Sequence, residues 1–156
     1  MASKRKTFNT IIIILIAVFI IAQFFGPEEN TYQQVPDTDI AKVENVPSEV
    51  MNILKTSCYD CHSNNTTYPW YDKITPVNYY LAEHVEDGKR HLNYSEWGNL
   101  SQKRKNHKME ETEEMIEKGE MPLRSYLWLH NDAKLSEAQA KTLTNWVKDY
   151  LSKSKN

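Results

Sequence analysis

An all-α domain behind a single N-terminal apolar helix is the fold class this sequence predicts, and three observations predict it. Residues 7–26 carry no charged side chain and are almost purely aliphatic from Ile11 to Ile21. The chain has only four glycines and few stretches of alternating apolar and polar residues, so strands joined by tight hairpins find no support. Downstream, apolar residues recur at helical spacing in four separate stretches.

At ~1.5 Å rise per residue, about twenty residues match a hydrocarbon core of about 30 Å. Residues 7–26 are therefore read as a transmembrane anchor. A cleaved signal peptide competes, because Ile11–Ala22 has the length of a signal h-region. The bulky Phe24 and Phe25 stand where a cleavage site wants small residues, which favours the anchor. Under either reading the basic end, residues 1–6, stays in the cytoplasm and everything after Gly26 is exported. The expected location is thus the cytoplasmic membrane, crossed once, with the domain on the periplasmic or extracellular side. Residues 27–45 are polar, contain Pro27 and Pro36 and show no helical period; they read as a flexible linker with a reach on the order of 25 Å. Residues 46–156 remain as one modest domain.

Its first helix is expected from Val46, Val50, Ile53, Leu54 and Cys58, with Pro47 in the opening turn where a missing N–H costs nothing. A second is expected with Thr75 as N-cap, Pro76 in the first turn, Val77, Tyr80, Leu81, His84 and Val85 on one stripe, and Gly88 as the stop. A third would place Lys103, Arg104 and Lys105 at its positive end if it began at Ser101, so a later start, capped by Asn106 and closed by Lys118 and Gly119, is favoured. In the fourth, Ser136 and Gln139 form a capping box ahead of the stripe Ala140, Leu143, Trp146, Val147, Tyr150 and Leu151.

The chain has 19 Lys and Arg against 21 Asp and Glu. Three of the basic residues precede the apolar run, so the exported part is acidic and lacks the footprint of a nucleic-acid binder. The run Lys103–Lys105 and the glutamates from Glu110 to Glu117 read as solvated surface that could also steer a charged partner.

The two cysteines stand in Cys58-Tyr59-Asp60-Cys61-His62, a C-x-x-C-H. Two thiols on adjoining turns can each form a thioether to one vinyl group of a haem, and the next side chain can reach its iron. One covalently bound haem c, with His62 as proximal ligand, is the reading. A zinc site would need two further ligands in paired spacing, and a thioredoxin-like thiol pair would need a βαβ context; neither is present in the sequence. An ordinary disulfide stays open, but export to the side where c-type haem is attached agrees with the motif.

For the second axial position, Met109 and Met115 fit a core-facing helix stripe, whereas Met121 follows Gly119 and precedes Pro122, in a loop held toward an extended shape. Met121 is the favoured distal ligand, against the plainer role of a buried loop residue. His84, on its apolar stripe, is the competitor and more readily a hydrogen-bonded, partly buried histidine. His91, His107 and His130 read as exposed. Trp70, Trp97, Trp128 and Trp146 read as core; Trp70 and Trp97 are also candidates to donate to a haem propionate, and Arg90 and Arg124 to pair with one.

Together these residues resemble the bacterial haem-binding domain proteins related to cytochrome c. The similarity runs from about Val46 to Leu151 and rests on Cys58-x-x-Cys61-His62-Ser63, Thr67-x-Pro69-Trp70-Tyr71, Pro76-Val77, His84-Val85-x-x-Gly88, Asn93-x-Ser95-x-Trp97, Gly119-x-Met121-Pro122 and Trp146. The resemblance implies a cytochrome c-like helical fold in which the first and last domain helices cross, and it implies that Met121 is the distal ligand.

The function expected is that of a membrane-anchored mono-haem electron carrier, rather than an enzyme, serving redox protein partners. The alternatives are a haem-based sensor or peroxidase-like enzyme with a displaceable distal ligand, and an interaction module that uses haem as a staple.

Overall fold

The computed structural model describes residues 2–32 and 34–154, and among them there is no strand, only a single bridge between Thr31 and Asn65. The all-α expectation holds. Helix α1, Ala2–Ala22, contains the stretch Lys4–Ala22, long and apolar enough to cross a membrane, with none of it buried in the protein. A signal sequence would have the same character.

The segment expected to be a free linker is not one along its length. Asp39 caps the short helix α2, Ile40–Val43, accepting from the Ala41 amide at 2.9 Å, and Ile40 is 0% exposed in the core. Thr38 Oγ1 donates to the Ser95 carbonyl at 2.7 Å, and the Gly98 amide donates to the Thr38 carbonyl at 2.7 Å. The strap is held mainly by hydrogen bonds to side chains and carbonyls around one apolar anchor, a pattern with no periodicity to read.

Helix α3, Ser48–Ser57, buries Val50, Ile53 and Leu54 as expected and opens behind Pro47. The backbone breaks at Cys58, and one further turn, α4, Tyr59–His62, carries the second cysteine and the histidine. A 3-10 turn, Trp70–Lys73, leads to α5, Val77–His91. Thr75 does not cap α5, because its hydroxyl donates instead to the Phe25 carbonyl at 3.0 Å and accepts from Asn78. Nor does Gly88 stop it. The helix runs on to His91, and Gly88 is the point at which α5 meets α4: a Cβ there would lie 2.6 Å from the Cys61 carbonyl oxygen.

After a 3-10 segment, Tyr94–Asn99, helix α6 spans Gln102–Glu117, starting at Ser101 rather than at Asn106. The expected electrostatic conflict is relieved because Lys105 turns back to Glu44 at 2.9 Å and lies over the Trp97 ring, while Lys103 and Arg104 are exposed. The C-terminal end follows expectation. Gly119 takes φ 66°, its amide bonds the Ile116 carbonyl at 3.0 Å and the Glu120 amide the Met115 carbonyl at 2.9 Å, a Schellman closure.

Helix α7, Arg124–Leu127, and the 3-10 turn Asn131–Ala133 lead to α8, Glu137–Ser154. The capping box forms: the Ser136 amide donates to Gln139 Oε1 at 2.9 Å and the Gln139 amide to Ser136 Oγ at 3.3 Å. Leu143, Val147 and Leu151 then face α3 and α6, joining Leu54 and Met109 in one core. At about 1.5–3 kcal/mol per fully buried large apolar side chain, this shared core holds the helices that flank the cysteine motif.

Candidate functional site

The break at Cys58 turns the chain so that the two thiols and His62 leave adjoining turns. Cys58, His62 and Met121 line one apolar cavity of about 280 Å3, with Leu92, Tyr94, Met115 and Ile116 among its walls. A neighbouring cavity of about 90 Å3 shares Ser57, Cys58, His62, His91, Met121 and Pro122 with it and adds Cys61, His84 and Tyr126. The Schellman end of α6 delivers Met121 to this cleft, since its amide still reaches the Met115 carbonyl at 3.3 Å.

His62 Nδ1 lies 2.9 Å from the Leu92 carbonyl. A carbonyl only accepts, so Nδ1 carries the proton and Nε2 keeps its lone pair for a metal. Burial pulls the His62 pKa down and outweighs the opposing hydrogen bond to the Leu92 carbonyl, so burial favours the neutral ring that a ligand must be. Tyr94, almost fully buried, stacks on Tyr59 at 5.4 Å and sets its ring edge-on to His62 at 6.4 Å.

Cys58 and Cys61 form no disulfide. Burial, then the neighbouring Cys61, pushes Cys58 up to about 12; burial, then the charge of Asp60, pushes Cys61 up to about 11. Both shifts run opposite to the lowered value that marks an activated thiolate. Asp60 is pinned from outside by the Tyr126 hydroxyl at 2.6 Å and the Thr67 amide at 3.1 Å. An imidazole and a thioether beside an apolar cleft are groups that can ligate a haem iron, and the two neighbouring thiols are groups that could bond its vinyls. Here Cys58 and Cys61 would hold the ring, with His62 and Met121 at the iron.

Other expectations about the site are corrected. Trp97 is 0% exposed in the core, its indole N–H donating to Glu44 at 2.9 Å, and takes no part in the cleft. Arg90 lies on the surface with Asp87 at 2.6 Å, and Arg124 is exposed; neither lines the cleft. Besides His62 and His84, the basic groups that line it are His91 and Lys108. Helical spacing could not single them out, because each lies beside the cleft only once α5 and α6 are set against α4.

His84 lines the smaller cavity, its Nδ1 2.8 Å from the Tyr80 carbonyl of its own helix. Trp70 is 77% exposed and lines not the two cleft cavities but an adjoining groove of about 640 Å3 that meets the smaller of them at Cys61, together with Trp128, which is 83% exposed instead of core. His130, expected to be solvated, is half-buried between Tyr126, stacked at 4.1 Å, and Tyr71. Met109 packs in the core, as its stripe predicts. Tyr94, Tyr126 and Asp60 escaped the sequence reading; Asp60, inside the motif, offered the only local signal.

A family model described as a haem-binding domain matches residues 17–149. No curated protein and no solved structure matches the chain. With a match that spans most of the sequence, and a cleft whose walls suit the cofactor, the chain belongs to the haem-binding domain family and is a haem-binding protein.

Proposed function

We propose that the chain is a membrane-anchored, mono-haem c-type cytochrome that carries single electrons outside the cytoplasm. The observation that carries this reading is the meeting of Cys58, His62 and Met121 on the walls of one apolar cavity. When bound, haem supplies a reversible one-electron change at iron, and a thioether ligand favours the ferrous form.

The chain's own residues hold and shield that centre. Thioether bonds from Cys58 and Cys61 would fix the ring, the Leu92 carbonyl orients His62, and Tyr94, Met115 and Ile116 exclude water from the cleft. The basic residues Lys4, Arg5 and Lys6, in the opening turns of α1 and ahead of its apolar run, favour a cytoplasmic N-terminus, and the cleft would then lie on the exported side. A membrane-bound redox protein is the partner such a carrier would serve.

The test is a spectrum of protein matured in a host that attaches c-type haem. Low-spin bands in both oxidation states, pigment that resists acidified acetone and slow carbon monoxide binding are expected. Extractable pigment would end the covalent reading, and rapid carbon monoxide binding would move the assignment to a sensor or peroxidase-like enzyme.

A further inference from the structure

Where α1 ends, the chain is held against the domain. The Thr75 amide donates to Gln23 Oε1 at 2.9 Å, Gln23 Nε2 donates to the Thr75 carbonyl at 3.2 Å, and Thr75 Oγ1 donates to the Phe25 carbonyl. A Cβ on Gly26 would come within 3.0 Å of the Asn78 side chain. The end of the apolar helix is thus fastened to the residue two positions before Val77.

Val77 lines the groove beside Cys61, as do Trp70, Trp128 and Leu129. Trp128 is 83%, Trp70 77% and Leu129 69% exposed, and Phe24 and Phe25 at the end of α1 are exposed too. Scattered apolar residues on a surface mean little, but large aromatics gathered around one groove mark an interaction face. Tryptophan and tyrosine are the side chains that settle at the boundary between lipid headgroups and acyl chains.

We infer that this groove is a membrane-docking face: Trp70, Trp128 and Leu129 sit in the interfacial layer of the outer leaflet of the bilayer that α1 spans. The occupant is lipid, because the fastening of Gln23 to Thr75 holds the groove beside the exit of the span rather than on a free tether. The haem cleft, which shares Asp60, Cys61, His84, Leu123 and Tyr126 with the groove, would then lie just above the headgroups. This inference rests on the anchored reading of α1.

The haem-loaded full chain, reconstituted at one chain per phosphatidylcholine nanodisc and reduced, tests it. Single variants Trp70→Cys, Trp128→Cys, Leu129→Cys and, on the exposed side of α8, Lys141→Cys are spin-labelled, with the parent chain setting the background at Cys58 and Cys61. Collision with oxygen and with a water-soluble nickel chelate is read by power saturation. A severalfold loss of nickel accessibility at 70, 128 and 129 relative to 141 is expected. Because one chain occupies each disc, a second copy cannot supply that protection; protection seen only at several chains per disc would make the face a self-association surface and overturn the proposal. Nickel accessibility equal to that at 141, with intact mass showing α1 retained, overturns docking alone. An intact mass lacking α1 overturns docking and anchoring together.

Discussion

Gly88 lies so close to Cys61 that a single added carbon on it would stand 2.6 Å from the Cys61 carbonyl oxygen and 3.1 Å from the Cys61 Cβ. Helix α5 and the turn bearing the cysteine motif are therefore in backbone contact, and the residue that opens the last turn of α5 must lack a side chain.

Gly88→Ala gains helix propensity yet forces α5 away from α4. A net loss of about 1–3 kcal/mol is expected, the usual cost of overfilling a packed contact. Thermal unfolding of the loaded protein measures it, and an unchanged midpoint would mean the two helices are not held at this separation.

Met121 and Met115 both line the larger cavity, but only Met121 also lines the smaller one. Met121→Ala should abolish the sulfur-to-ferric-iron charge-transfer band, while Met115→Ala should leave it in place. The opposite outcome would identify Met115 as the distal ligand.

Gly119 is the left-handed residue that closes α6 two positions before Met121. Replacing it by alanine should cost about 1 kcal/mol in stability and also weaken the same absorption band, because the backbone that presents Met121 loses its closure. Lower stability with an unaltered band would separate the helix end from the ligand.

Glu44 accepts from the Trp97 indole at 2.9 Å and from Lys105 at 2.9 Å, so it pins the strap to the core. Glu44→Ala removes the carboxylate partner of the buried indole N–H, leaves it only the Tyr150 hydroxyl, and should cost about 0.5–1.5 kcal/mol in chemical denaturation. Combined with Trp97→Phe, the loss should be less than the sum of the two single changes.

Local signals carried much of this protein. The C-x-x-C-H triplet, the capping box at Ser136, the Schellman glycine at Gly119 and the stripe ending in Leu151 are each written within a few residues of one another, and short-range geometry is all they require. The start of α6 was misread because propensity and dipole arguments weigh a helix alone, whereas Lys105 finds Glu44 across 61 positions of sequence. Trp97 shows the same limit: a tryptophan in a loop looks available to a propionate until the strap returns to claim its N–H.

By itself the sequence determined that the chain is helical, that an apolar helix lies within residues 7–26 and that two thiols and an imidazole sit on neighbouring turns, because these depend on contacts a few residues apart. Only the tertiary structure decided that residues 38–44 are a strap and not a tether, that Gly88 is a contact and not a stop, and which basic residues border the cleft. Those outcomes depend on which surfaces meet after the helices pack, and long-range contact leaves no period in the sequence to read.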